Sequence, residues 1–186
     1  MEKVYVFLAD GFEEIEGLTV VDILRRGEVE TVTVSVTGNR LVQGSHGIPV
    51  TADCLFEDQD LGDGTVYVLP GGMPGTLHLG EHRELAGLLS EAKAKGAWLA
   101  AICAAPSVLG GLGLLEGETA ACYPGFEEKL AGARVTFHPV EVSGHVITSR
   151  GMGTAIPFAL KILEQLKGKE TADSIGRGII WEAPGK

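Results

Sequence analysis

The chain has 186 residues, with 25 acidic against 15 basic side chains and a formal charge of −10. That balance excludes the clustered Lys and Arg that non-specific nucleic-acid binding or docking on an anionic membrane needs, and no apolar run approaches the ~20 residues that span a bilayer. Hydrophobic content of 45% and charged content of 22% suit one globular domain over residues 1–186 with a full core.

In chain order, "KVYVFLA" (3–9) reads as a buried first strand rather than a signal peptide, because a carboxylate cluster follows it. "EEIEGLTVVDILRR" (13–26) reads as a helix ended at Gly27, and "TVTVSVT" (31–37) as a second strand. "RLVQGSHGIPVTAD" (40–53) has two short β-like runs around "GSHG", a hairpin pattern. "TVYVLPGG" (65–72) is a buried strand running into a glycine turn. "RELAGLLSEAKAKG" (83–96) is an amphipathic helix, "AWLAAI" (97–102) a strand, and "APSVLGGLGLL" the helix after Cys103. "ETAACYPGFEEKL" gives a short strand, a Pro-Gly break and a short helix. "ARVTFHPVEVSGHVITSRG" holds two more strands. "GTAIPFALKILEQLKGK" (153–169) is a helix with Pro157 in its first turn, and "ADSIGRGIIWEAPGK" a short helix with an extended end.

Strands alternate with helices, and most strands are continuous apolar runs. This is the signature of an α/β fold with a mostly parallel sheet covered on both faces. Sites in such folds form beyond the carboxyl ends of strands, so three strand-to-helix turns carry weight: "ADGFEEIE", "LPGGMPG" and "AAICAAP".

In the third turn a cysteine stands among alanines. The three cysteines, Cys54, Cys103 and Cys122, are odd in number and form no C-x-x-C, which points to reduced thiols in a cytoplasm. A nucleophile on a sharp turn needs small neighbours, and Ala101, Ala104 and Ala105 supply them. Helix onset near Ala105 puts Cys103 by a positive helix end, which favours the thiolate. The alternative is a buried thiol acting as a small hydrophobe, the reading adopted for Cys54 and Cys122.

In the first turn, Glu13 and Glu14 read as surface groups complementing the helix dipole. Glu16 shares a helix side with Val20 and Ile23 and should face the sheet. A buried carboxyl with no basic partner has a raised pKa and can donate a hydrogen bond to a thiolate or carry protons. Ile15 and Leu18 lie on the other side, which a subunit interface or a flanking segment would cover. The second turn can present backbone N–H groups to an oxyanion; it matches neither a P-loop nor G-x-G-x-x-G. The five histidines are scattered, no cluster has zinc spacing, and no cofactor or metal is expected.

Together, "GFEEIE", "VVDILRR", "LPGG", "AAICAAP" and "ITSRGMGTAIPFALKILEQLKGKE" resemble the ThiJ/PfpI family, the parkinsonism-associated deglycase family within the class I glutamine-amidotransferase-like superfamily, in its ThiJ-like bacterial branch. The matches run in order from Val4 to about Glu170. The resemblance implies a flavodoxin-like three-layer sandwich, a homodimer, Cys103 as nucleophile and oxidation-sensitive thiol, and Glu16 as its protonated partner. It also implies an oxyanion site from the backbone of Gly72 and Ala104, with Gly71, Tyr123, His46 and Arg150 as auxiliary positions. The activities implied are glutathione-independent glyoxalase or deglycation of methylglyoxal adducts, acting on small aldehydes or glycated amino and thiol groups. The alternatives are a redox sensor or chaperone and, third, a cysteine peptidase or amidase.

The chain departs from the family in four places. Protease-like members have His directly after the nucleophile, where this chain has Ala104, and "HPVE" (138–141) has the wrong spacing for a His-x-Glu pair. Tyr123 stands where the animal deglycase has a His near the cysteine, which shifts proton transfer toward Glu16 because a phenol titrates near 10. His46 stands where the animal protein has Arg.

Overall fold

The computed structural model describes residues 2–182; Met1 and the last four residues of the expected extended end lie outside them. A seven-stranded sheet runs through the molecule. Its strands are β1 (Lys3–Leu8), β2 (Glu30–Ser35), β5 (Cys54–Leu55), β6 (Val66–Leu69), β7 (Trp98–Ile102), β10 (Val140–Ser143) and β11 (Val146–Ser149), in the order β10-β11-β7-β6-β1-β2-β5. All neighbours are parallel except β10, which pairs antiparallel with β11 at the edge.

Two-residue periodicity splits β1 between two cores. Val4, Val6 and Leu8 face the cluster with Phe12, Val20, Ile23 and Phe158. Tyr5, Phe7 and Ala9 face Leu79, Leu85, Leu89 and Leu109. The first face is covered by α1 (Glu14–Arg26) and α5 (Ala155–Gly178), which pack on each other. The second is covered by α2 (Gly75–Glu81), α3 (Arg83–Ala94) and α4 (Pro106–Gly111). The result is the expected three-layer α/β sandwich around a mostly parallel sheet.

The hairpin around "GSHG" forms from β3 (Leu41–Gln43) and β4 (Pro49–Thr51), antiparallel and outside the main sheet. The segment expected to hold two strands holds three. Its β9 (Arg134–Val135) pairs with β8 (Thr119–Ala120) as a separate ladder. Helix α2 was not expected, since "LPGGMPG" (69–75) reads as a turn; burial of Leu79 and Thr76 holds it in place. Helix α4 is shorter than expected because Gly113 turns to φ 70° just beyond its cap. Helix α5 breaks at Gly168 (φ 81°), where the expected long helix passes to the short one.

From β1 the chain runs to β2 on one side; from β6 it runs to β7 on the other. The order therefore reverses between β1 and β6. In doubly wound sheets the crevice at such a reversal, beyond the carboxyl ends of the strands, is where ligands bind. The turns after β1, β6 and β7 all open there.

Candidate active site

Cys103 follows β7 directly, with φ 63°. A non-glycine residue in this left-handed region is held only when its surroundings over-determine it. Here they do: the Cys103 N–H donates to the Ser149 carbonyl (3.0 Å), and the Cys103 carbonyl accepts from the Tyr123 N–H (2.8 Å). Ala104 and Ala105 are buried, so larger side chains would have no room.

The glycine turn closes over the cysteine from β6. The Gly71 N–H donates to Glu16 Oε2 (2.8 Å), and the Gly71 carbonyl accepts from the Glu13 N–H (2.8 Å). A side chain at Gly71 would put its Cβ 2.6 Å from Cys103 Cβ and 2.7 Å from Glu16 Oε2. Gly72 sits at φ 91°, and a Cβ there would meet the Glu13 nitrogen at 2.3 Å. These two glycines are thus required for the acidic turn and the elbow to approach each other.

Glu16 is 1% exposed, as are its helix-side neighbours Val20 and Ile23 to within 2%. Burial pushes its carboxyl up to about 7, against the opposing hydrogen bonds from the Gly71 N–H and the Cys103 thiol. Its Oε1 is buried and makes no hydrogen bond within the described residues. No Lys or Arg acts on it, while Glu13 pushes it further up.

The Cys103 thiol is also raised, to about 12, first by burial and then by the charge of the Glu16 carboxylate and the hydrogen bond it accepts. The backbone N–H groups of Ala104 and Gly72 act in the other direction. The expected lowering by a helix end is therefore outweighed: α4 is only six residues long, and dehydration of the sulfur is the larger effect. A proton on Glu16 reverses the second and third causes, because a neutral carboxyl repels nothing and donates to sulfur. Thiol and carboxyl form one coupled pair.

Two expectations about α1 change. Glu14 is not a surface group: it is 1% exposed. Burial alone would raise it, but N–H bonds from His46 (2.8 Å) and Ile48 (3.3 Å) hold its carboxyl below the usual range. It clamps α1 to the β3–β4 hairpin; the signal in the sequence was the hairpin turn, which needs an acceptor for its N–H groups. Ile15 is 48% exposed and Leu18 half-buried, so within one chain the outer face of α1 stays uncovered.

His46 is brought beside this clamp, its Nδ1 lying 3.2 Å from Glu14 Oε2 and 3.3 Å from Glu13 Oε2. Among the described residues, Glu13, Glu14 and His46 are the group that offers three potential metal-ligand atoms within 4.8 Å of one another. Ser45 Oγ hydrogen bonds into the same set, which accounts for its geometry. The other histidines are engaged elsewhere. His78 bonds to the Asp10 carbonyl, His82 caps α3, His138 pairs with Glu141, and His145 packs edge-on to Trp98.

Tyr123 is 50% exposed beside the elbow, and Arg150 follows Ser149, the anchor of the Cys103 N–H. The anchoring role of Ser149 left no mark in the sequence beyond its place at a strand end. Cys122 is buried and its thiol raised to about 11 by burial first. Cys54 is half-buried, and all three thiols are free. No helix among the described residues is long and apolar enough to cross a membrane.

Comparison with known proteins gives the family and the fold. The chain is 38% identical over 181 residues to Protein DJ-1 homolog B of Arabidopsis thaliana, covering 96% of this chain and 41% of that protein; it thus spans less than half of that relative's length. It is 33% identical over 165 residues to the glutathione-independent glyoxalase DJR-1.2 of Caenorhabditis elegans, covering 88% of this chain and 87% of that protein. A solved structure of oxidized DJ-1 from Toxoplasma gondii superposes with a TM-score of 0.95 at 38% identity, over 98% of this chain and all of that one. The profile of the DJ-1/PfpI family matches residues 2–165. The chain belongs to the DJ-1/PfpI family.

Proposed function

We propose that the protein converts small 2-oxoaldehydes such as methylglyoxal to hydroxy acids through Cys103. The observation that carries this reading is the convergence of one thiol, one raised carboxyl and two backbone N–H groups: Cys103, Glu16, Gly72 and Ala104. A relative named as a glutathione-independent glyoxalase supports it.

The thiol proton passes to the Glu16 carboxylate, and the sulfur adds to the aldehyde carbon. The oxyanion lies toward the N–H groups of Gly72 and Ala104 and takes the proton back from Glu16, giving a hemithioacetal. Glu16 then removes the proton from that carbon, forming an enediolate, and returns it to the neighbouring carbon. This leaves a thioester. Water cleaves the carbon–sulfur bond, lactate leaves and the thiol is restored. The net change is addition of one water, with no external oxidant or reductant. A carboxyl near pKa 7 suits a group that must both give and take a proton at neutral pH.

The test follows methylglyoxal loss and lactate formation in wild type, Cys103→Ser and Cys103→Ala. Loss of a nucleophile should lower kcat/KM by at least about 10³-fold. Equal rates in the three proteins would overturn the reading.

A second reading is favoured by the neighbouring structure, which is that of an oxidized protein: Cys103 serves as a peroxide-sensing thiol. Under graded peroxide, mass spectrometry should find Cys103 converted to sulfinic acid before Cys54 and Cys122. Earlier oxidation of either other thiol would remove this reading. A peptidase depending on a Cys-His pair finds no support, since no histidine figures among the groups acting on the Cys103 thiol.

A further inference from the structure

We propose that Glu13, Glu14, Ser45 and His46 form a binding site for a tetrahedral divalent cation, with zinc as the ion that fits the donors. The site uses none of the side chains of the Cys103 chemistry, and it stands whether or not that chemistry does. Its residues come from two turns more than 30 positions apart. Glu13 and Glu14 open α1, and Ser45 and His46 lie between β3 and β4. Backbone bonds join the two turns: the Gly11 N–H donates to the Gln43 carbonyl (2.7 Å) and the Ser45 N–H to the Phe12 carbonyl (2.8 Å). Gly44 leaves the room that the Glu14 carboxylate needs, since a Cβ there would overlap it. The donors are therefore placed by the backbone, as a metal site requires.

Their spacing is that of a coordination tetrahedron. His46 Nδ1 lies 3.2 Å from Glu14 Oε2, 3.3 Å from Glu13 Oε2 and 3.0 Å from Ser45 Oγ. Ser45 Oγ lies 3.4 Å from Glu13 Oε2 and 3.3 Å from Glu14 Oε2. Zinc holds nitrogen and oxygen ligands at about 2.0–2.1 Å, and a tetrahedron of that radius has edges of about 3.3–3.4 Å. The carboxylate oxygens that Glu13 and Glu14 bring to the set lie within 4.8 Å of each other. That is the edge on which like charges face, and the one a cation would shorten.

Hydrogen bonds hold these atoms together but cannot fill every contact. The five contacts made by Ser45 Oγ and His46 Nδ1 share at most two protons, one on the hydroxyl and one on the ring nitrogen. The rest set lone pair against lone pair. The hairpin N–H groups of His46 and Ile48 give Glu14 no relief there, because both donate to Oε1. Glu14 is 1% exposed, so water cannot surround its carboxylate either. A cation accepts all four lone pairs at once, with the ring proton moved to His46 Nε2. One imidazole, two carboxylates and a hydroxyl suit zinc, whereas magnesium and calcium take six or more oxygens. His46 is largely exposed, which gives a hydrated ion its way in. Bound metal would tie α1 to the hairpin and, through the Glu13 N–H on the Gly71 carbonyl, to the glycine turn.

The test titrates zinc chloride into the full chain by calorimetry, in wild type, Cys103→Ala, His46→Ala and Glu13→Gln. The Cys103→Ala variant separates this site from a thiol that would itself take zinc. It should bind one ion per chain, whereas His46→Ala and Glu13→Gln should each weaken that binding by at least about tenfold. Neither of these two changes removes a bond that holds the fold, because the contacts of His46 and Glu13 with Glu14 and Gly71 run through their backbone N–H groups. Cobalt(II) added to Cys103→Ala should give the visible bands of a tetrahedral ion without a sulfur-to-cobalt band in the near ultraviolet. Saturating zinc should raise Tm by about 2–4 °C in Cys103→Ala and not in His46→Ala. Loss of binding in Cys103→Ala, a sulfur-to-cobalt band there, unchanged affinity in His46→Ala or Glu13→Gln, or no binding tighter than about 100 μM would overturn the inference.

Discussion

Replacing Glu16 by Gln is expected to remove a large part of the protein's pH-dependent stability and most of its thiol chemistry together. The Glu16 carboxyl is raised from 4.5 to about 7 in the fold. A raised carboxyl contributes stability in full below its unfolded value and loses it as pH climbs through the folded value. The wild type should therefore lose about 2–3 kcal/mol between pH 5 and pH 8 through this group. Glu16→Gln has no proton to lose there, and its amide oxygen can still accept from Gly71. Urea unfolding of both proteins at the two pH values measures the difference directly. Parallel pH profiles would show that Glu16 is not held protonated by burial. On activity, removal of a group that both gives and takes protons should lower kcat/KM by about 10²-fold or more. A Gln variant as fast as wild type would leave Cys103 without its proposed partner.

Gly71→Ala is the second large effect. The added methyl carbon would sit 2.6 Å from Cys103 Cβ, 2.7 Å from Glu16 Oε2 and 2.9 Å from the Ile102 carbonyl. Cys103 Cβ and the Ile102 carbonyl are fixed by the backbone, and Glu16 Oε2, though at the end of its side chain, is buried and held by the Gly71 N–H, so elbow and carboxyl must move apart. Overpacking of this kind costs about 1–3 kcal/mol, and misplacing a reacting pair by about 1 Å costs about 10²-fold in rate. Gly87→Ala serves as the control: it lies in α3 with nothing within 4 Å of the added carbon, and it should be neutral or stabilising by up to about 1 kcal/mol. If Gly71→Ala behaves like the control in methylglyoxal turnover, the close approach of the two turns is irrelevant to the chemistry.

Much of this arrangement was legible beforehand because it depends on local periodicity. Alternation along "KVYVFL" and the helical spacing of Glu16, Val20 and Ile23 each specify a face without knowledge of the partner. The run of alanines around Cys103 marks a tight turn by side-chain size alone. What failed did so for non-local reasons. Glu13 and Glu14 both looked like surface groups to any reading of α1, yet the neighbour in space of each is the hairpin turn more than 30 residues away. Helix α2 holds glycines that weaken it alone, and only packing of Leu79 and Thr76 retains it. Chain periodicity also shows no hint that Ser149 would accept from Cys103.

By itself, the sequence determined the layer architecture, the strand-to-helix turns and the inward face of Glu16, since hydrophobic period and residue size act over a few positions; the pairing of Cys103 with Glu16 was implied only by the family resemblance. Only the tertiary structure decided how these groups ionise. The helix end expected to lower the Cys103 thiol is too short, and burial together with the Glu16 carboxylate raises it. Dehydration and close charge depend on which atoms meet across the sheet, and Cys103, Glu16 and Gly71 meet only where the strand order reverses.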